Sequence, residues 1–345
     1  MPHRSAPRPD AQGFTLVEIL VAMVIGMIIM LQVFATAEGQ RRSTTGTGDA
    51  QTSGAMALYD LQRDIRQSGY GFNSLTLLNC SVALRAPSNA TLPVLAPVII
   101  NPRRANNSLL LPAGDANTDT LLVAYGDAAG SPEGDAIIDS GTPTLAVQTV
   151  ANFAAGHRVI AAPNQCVAGT ALALDTVQAV NIAAQTVTVG AAGGRLLFNL
   201  GAAPTIRAYA IRGGNLTVCD FLASNCSVAG NAGNPAIWVP IASNIVSLRA
   251  QYGRDTAPPN GVDTWDRTTP ASACDWVRVS ALRLAVVARN NQLERAPITL
   301  AAPTWEGSAA AAINLSAHAN WRNYRYKVFE TVVPIRNLPW MARCP

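Results

Sequence analysis

The stretch Gln12 to Ala35, QGFTLVEILVAMVIGMIIMLQVFA, constrains this chain more than any other. Nineteen residues without a charge, Ile19 to Ala37, lie between Glu18 and Glu38. As a helix they reach roughly 28 Å, close to the ~30 Å hydrocarbon core of a bilayer. The segment therefore reads as a transmembrane helix over 19–37, with the remainder of the chain beyond it. Arg4 and Arg8 precede the run, and a basic flank is expected on the cytoplasmic side. Two plainer readings compete: a secretory signal peptide cleaved near Ala35-Thr36-Ala37, and an uncleaved anchor of no special kind. Glu18 fits neither well, because a lone carboxylate entering lipid costs several kcal/mol unless something pairs with it or it snorkels to the headgroups.

The order of residues decides among these. Gly13, Phe14, Thr15, Leu16, Val17 and Glu18 follow a basic leader and lead directly into the apolar run. This resembles the class III signal of type IV prepilins and pseudopilins. The resemblance implies that residues 1–13 are a leader, cut between Gly13 and Phe14 by the prepilin peptidase, with N-methylation of the new Phe14 amine. It also gives Glu18 a role in assembly, as the carboxylate that seeks the Phe14 amine of its own chain or of a neighbour. A second stretch, LYDLQRDIRQSGYGF from Leu58 to Phe72, resembles the PilW family of large minor pilins. So do IVSLRAQYGRDTAPPNGVDTWD, WVRVSALRLAVVAR and YRYKVFETVVPIRNL, which follow in order from Ile245 to Leu338.

Only 13% of residues are charged and no basic run exceeds two residues, so there is no electrostatic footprint for nucleic acid. Six cysteines without CxxC spacing suit disulfides in an oxidising compartment better than zinc. Cys219 and Cys226, closing CDFLASNC, are the expected pair. Cys80, Cys166, Cys274 and Cys344 stay unassigned.

The amino-terminal helix is expected over 14–72. Leu58, Leu61 and Ile65 fall at helical spacing and read as a core-facing stripe, with a partner-binding face as the alternative. Asp60, Arg63, Asp64 and Arg66 read as a solvated mixed-sign face worth a few tenths of a kcal/mol per pair. The stretch STTGTGDAQTSG is a poor helix former, so the helix there is either melted or carried by packing. Gly69 and Gly71 should end it. Short β-rich runs follow, giving an α+β, pilin-like chain: a long amino-terminal transmembrane helix, then an antiparallel β-sheet domain with a large loop-rich insertion. Residues 73–244 form the variable β and loop-rich region and 245–345 a carboxy-terminal antiparallel β region. Gly213-Gly214 marks a hairpin turn, and the alternation of WVRVSALRLAV slips between Val279 and Leu282, as at a bulge. In YRYKVF, Tyr324, Tyr326 and Val328 form the inward set, and Arg325, Lys327 and Phe329 the outward one.

Chemistry-bearing motifs are few. Asp255, Asn260, Asp263 and Asp266 offer oxygens to calcium, but off the EF-hand spacing and within a stretch where Asn260-Gly261 already reads as a turn. DANTDT, Asp115 to Thr120, offers a weaker set. His157 and His318 lack a nucleophile motif, and GAAGGRL lacks the ending of a phosphate loop. No cofactor other than that calcium is expected, and no enzyme. The PilW resemblance implies a minor pilin in the inner membrane, amino terminus cytoplasmic and bulk periplasmic, and later on the pilus. Its implied partners are the prepilin peptidase, other minor pilins and the major pilin, the inner-membrane assembly machinery and a tip adhesin. The rival readings are a minor pseudopilin of a type II secretion system and a membrane-anchored periplasmic enzyme or binding protein.

Overall fold

The computed structural model describes residues 15–344 apart from 128–129, 132, 142, 168, 191–192, 258–260 and 339–343, with backbone only at Arg42, Ser43 and Thr45. Gly13, Phe14 and Asn260 lie outside the described residues. The chain divides into two compact units, Met1–Gly48 and Asp49–Pro345.

The apolar run becomes the first part of α1, Leu16–Gln67, a helix long and apolar enough to cross a membrane. Its large side chains from Leu16 to Phe34 are exposed. The glycine- and threonine-rich stretch remains helical. In the second unit packing carries it: a Cβ at Gly54 would stand 2.2 Å from the Phe329 ring. Ala57, Leu61 and Ile65 are fully buried in the main core, with Leu58 packed beside them. The helix ends at Gln67; Gly69 (φ 82°) and Gly71 (φ 86°) take left-handed conformations that favour glycine. Its last carbonyls are met from far along the chain, since Asn337 Nδ2 donates to the oxygens of Arg66, Gln67 and Ser68 at 3.4, 3.1 and 3.2 Å.

Strands β1 (Ser81–Leu84), β2 (Thr91–Leu92), β3 (Val98–Ile100) and β4 (Leu121–Tyr125) come first. Then follow β5 (Asp135–Asp139), β6 (Thr144–Val147), β7 (Arg158–Ala162), β8 (Ala171–Thr176), β9 (Ala179–Asn181), β10 (Thr186–Thr188) and β11 (Leu196–Gly201). The remainder are β12 (Thr205–Arg212), β13 (Asn215–Asp220), β14 (Val239–Ser243), β15 (Ile245–Arg254), β16 (Thr264–Asp266), β17 (Val279–Arg289) and β18 (Tyr326–Pro334), with a short helix α2 (Ala273–Val277) between β16 and β17.

They form three sheets: nine strands in the order β2-β1-β8-β7-β11-β5-β6-β10-β9, five in the order β14-β13-β12-β4-β3, and four in the order β16-β15-β17-β18. Among the described residues β1 and β8 are the one parallel pair, an exception to the antiparallel expectation. The main core joins α1 to residues of all three sheets, including Val82, Leu174 and Phe198 from the nine-stranded one. There Tyr252 accepts from the Ile100 amide at 2.7 Å and meets Trp276 edge-on at 5.7 Å. A second core fills the nine-stranded sheet around Val147, Phe153, Val187 and Leu197. A third lies on the other face of the four-stranded sheet, where Trp305, Ala311, Ile313 and Leu315 from the long segment after β17 cover Val246, Ala285 and Val287.

The local devices follow their residues. Gly213 (φ 57°) and Gly214 (φ 71°) give both central positions of the β12–β13 turn the positive φ of a type I′ hairpin. Ser280 is the bulged residue of β17, since Gly253 faces Ala281 while Arg254 faces Val279. Phe329 departs from the outward set expected of it. Tyr326 and Val328 pack on the third core while Phe329 packs on the main core, because α1 covers that face of β18.

Candidate assembly site

The described chain begins with a reciprocal cap. Glu18 Oε2 accepts from the Thr15 amide and the Thr15 hydroxyl, both at 2.9 Å, while Thr15 Oγ1 accepts from the Glu18 amide at 3.3 Å. This is a capping box: the first amides of a helix have no partner within it, and the threonine and the acid three residues on supply them for each other. In lipid, where no water can substitute, such pairing matters more. Among the described residues Glu18 finds its partners on Thr15 alone. The acid taken by itself does not point to Thr15, although Thr-x-x-Glu just before an apolar run is a signal present in the sequence.

A second polar site fixes the far end of the helix. Asp64, expected on a solvated face, is fully buried. Its Oδ2 accepts from Tyr209 Oη at 2.5 Å and Arg207 Nη1 at 3.1 Å; its Oδ1 accepts from Tyr125 Oη at 3.2 Å and Arg63 Nε at 3.4 Å. Burial, and then the neighbouring carboxylate, push the Tyr209 hydroxyl well above its ordinary value, so it stays a donor. The correction has a physical origin: α1 turns this position toward β4 and β12, whose hydroxyls and guanidinium replace water around the charge.

The described candidate cation ligands are met by protein groups, although Asp255 Oδ1 is buried with no partner among the described residues. Asp255 accepts from the Gly261 amide at 3.2 Å, and Asp263 from the amide and hydroxyl of Thr256 at 3.0 and 2.8 Å. Asp266 pairs with Arg254 at 2.7 Å and accepts from the Thr268 amide at 2.7 Å. Asp115 accepts from the amides of Gly213 and Gly214 at 2.9 and 2.7 Å. Asp119 accepts from Asn101 at 2.9 Å, the Ala250 amide at 3.1 Å, Arg249 at 3.4 Å and Arg267. Among the described residues no group of His, Cys, Asp or Glu is arranged to hold a metal ion. His157 meets the Asn199 amide nitrogen at 3.1 Å and His318 the Val246 carbonyl at 3.3 Å, so both serve packing.

All six cysteines are bonded: Cys219 to Cys226, Cys80 to Cys166 and Cys274 to Cys344. The first closes the loop after β13. The second ties the segment before β1 to the one before β8, and the third fastens the chain's last described residue to α2.

Two family models match the chain. Residues 8–31 match the prokaryotic N-terminal methylation motif, a span that holds Gly13, Phe14, Thr15 and Glu18. Residues 218–337 match the type IV pilus-assembly protein W model, from within β13 through β18 to the Asn337 that caps α1. No curated protein and no solved structure matches. A methylation-type signal opening an apolar helix, joined to this β-rich carboxy-terminal match, supports reading the chain as a minor pilin similar to the PilW family, with a class III prepilin signal.

Proposed function

We propose that this minor pilin takes part in pilus assembly within a tip or priming complex, beside other minor pilins and the major pilin, with the large β-region displayed and available to a tip adhesin. The prepilin peptidase cuts between Gly13 and Phe14 and methylates Phe14, and the helix holds the subunit in the inner membrane with its bulk in the periplasm. The role is structural rather than enzymatic.

The observation that carries this reading is the Thr15–Glu18 box at the mouth of an uncharged run. It keeps the carboxylate satisfied while the subunit waits in lipid. The cationic amine of Phe14, from this chain or a neighbour, is a stronger partner than a neutral hydroxyl, because it adds the attraction of opposite charges to the hydrogen bond, and that attraction grows where the dielectric is low. Assembly then exchanges one partner of Glu18 for another.

In the test, Glu18→Ala is introduced into the otherwise intact gene. Processing to the mature size should persist while incorporation into sheared pili falls at least tenfold. Deletion of the gene should abolish surface pili and twitching; normal piliation would sink the priming role, and a secretion defect in its place would favour the pseudopilin reading. A Gly13 substitution that leaves the processed size unchanged would undo the signal assignment.

A further inference from the structure

The end of the second unit at which α1 joins it carries an apolar, basic patch. Phe329 lies against Gly54, Gln62 Nε2 reaches Thr331 at 2.6 Å, and Asn337 caps Arg66 to Ser68, so β18 and α1 run side by side in the same direction. The residues before β18 therefore lie toward the start of this unit's helix. There the segment after β17 is fastened to them: the Glu294 amide donates to the Asn323 carbonyl at 2.8 Å, and the Ile298 and Thr299 amides to the Arg322 carbonyl at 2.8 and 2.9 Å. That segment, LERAPITLA, exposes Leu293 (51%), Ile298 (37%) and Leu300 (81%). Arg295, Arg322 and Lys327 stand exposed around it. No carboxylate pairs with those three among the described residues, whereas Arg325 is met by Glu294 at 3.2 Å.

Exposed aliphatic side chains collared by cations that no carboxylate neutralises among the described residues, Arg322 lying over the Trp321 ring at 5.3 Å, suit a surface that is apolar within and anionic at its edge, which is the chemistry of an acidic phospholipid leaflet. The tether supports the same occupant. Eleven residues, 38–48, separate the uncharged run from this unit. Fully extended they span at most about 40 Å, so Asp49, where this unit begins, is tethered within that distance of the uncharged run. We propose that residues 293–300 dock on the anionic leaflet from which α1 emerges, with Leu293, Ile298 and Leu300 among the acyl chains and Arg295, Arg322 and Lys327 against phosphate headgroups. The proposal rests on the reading of 19–37 as membrane-spanning.

The test uses the full-length protein reconstituted in phosphatidylcholine vesicles with and without phosphatidylglycerol. Because every native cysteine is in a disulfide, Leu300→Cys supplies one free thiol for an environment-sensitive fluorophore. Ile182→Cys, 79% exposed between β9 and β10, is the control. The label at 300 should shift to the blue and be quenched by lipid-borne nitroxide in the acidic vesicles, while the label at 182 stays aqueous. Arg295→Glu with Arg322→Glu should reverse this, each lost cation shifting the docked-to-free ratio about fivefold, the equivalent of ~1 kcal/mol per basic residue at an acidic surface. An aqueous signal at 300 in protein that still floats with the vesicles would overturn the proposal. So would equal shielding in both vesicle types, or shielding that appears only when other pilin subunits are added. Protein that fails to float would overturn the membrane-spanning reading, and the proposal with it.

Discussion

Asp64 shows how much one side chain can carry. Four polar groups from three elements converge on a carboxylate with no exposure, so deleting it leaves Arg207 and two tyrosine hydroxyls facing a gap. Asp64→Ala should therefore cost about 3–5 kcal/mol, the range for removing one partner of a buried pair. Tyr209→Phe should cost only ~1–2 kcal/mol. Denaturant midpoints with unchanged slope would check both, and a loss below 1 kcal/mol for Asp64→Ala would contradict the network. None of this was legible beforehand. Asp64 sits in a charged heptamer that pairs within the helix only through Arg63, and its other partners lie 61, 143 and 145 residues away. Glu18 was the opposite case, since its partner is three residues off and Thr-x-x-Glu names it.

At the scale of elements, the contact of α1 with β18 rests on an absent side chain. Helix propensity favours Gly54→Ala by about 1 kcal/mol, but the added Cβ would fall 2.2 Å from a Phe329 ring carbon. The clash should win: Gly54→Ala is expected to destabilise the protein, and Phe329→Ala to remove that penalty in a double-mutant cycle. Strand β5 holds a different stress. Asp135 is buried, and its Oδ2 has no hydrogen-bond partner among the described residues, so burial pushes its carboxyl above the ordinary value. A raised carboxyl pKa favours the folded state below the unfolded value, and that contribution is lost as pH rises through the folded one. Asp135→Asn should thus raise the melting temperature at neutral pH and flatten its decline between acid and neutral pH. Thermal melts across that range test it; a steeper decline in the variant would refute the assignment. The elements themselves were largely readable. Gly213-Gly214 gave the hairpin, the broken alternation gave the Ser280 bulge, and the spacing of Leu58, Leu61 and Ile65 gave the buried stripe. The parallel pairing of β1 with β8 was not, because short apolar runs carry no record of which neighbour they join.

For the molecule as a whole, three bridges divide the work by loop length. Separations of 86 and 70 residues for Cys80–Cys166 and Cys274–Cys344, against 7 for Cys219–Cys226, correspond in the chain-entropy account to about 4.5 kcal/mol each against ~2.4 kcal/mol. Replacing both cysteines of either long bridge with alanine should lower stability about twice as much as replacing the short pair, as equilibrium unfolding would show. Equal losses would indicate that residual structure in the unfolded chain already closes the long loops. The architecture around these bridges was only half legible. An α+β chain with a leading apolar helix followed from periodicity, but three sheets sharing out the strands did not, since strand order is a property of distant pairings.

The cap that Asn337 places on the end of α1 has a consequence for timing. The carbonyls of Arg66 to Ser68 wait for a side chain some 270 residues later, and Phe329 waits with it to fill the space beside Gly54. Synthesis delivers the helix long before its clasp, so α1 is made well before the groove that receives it exists, and until Asn337 follows, the last carbonyls of the helix lack the side chain that caps them.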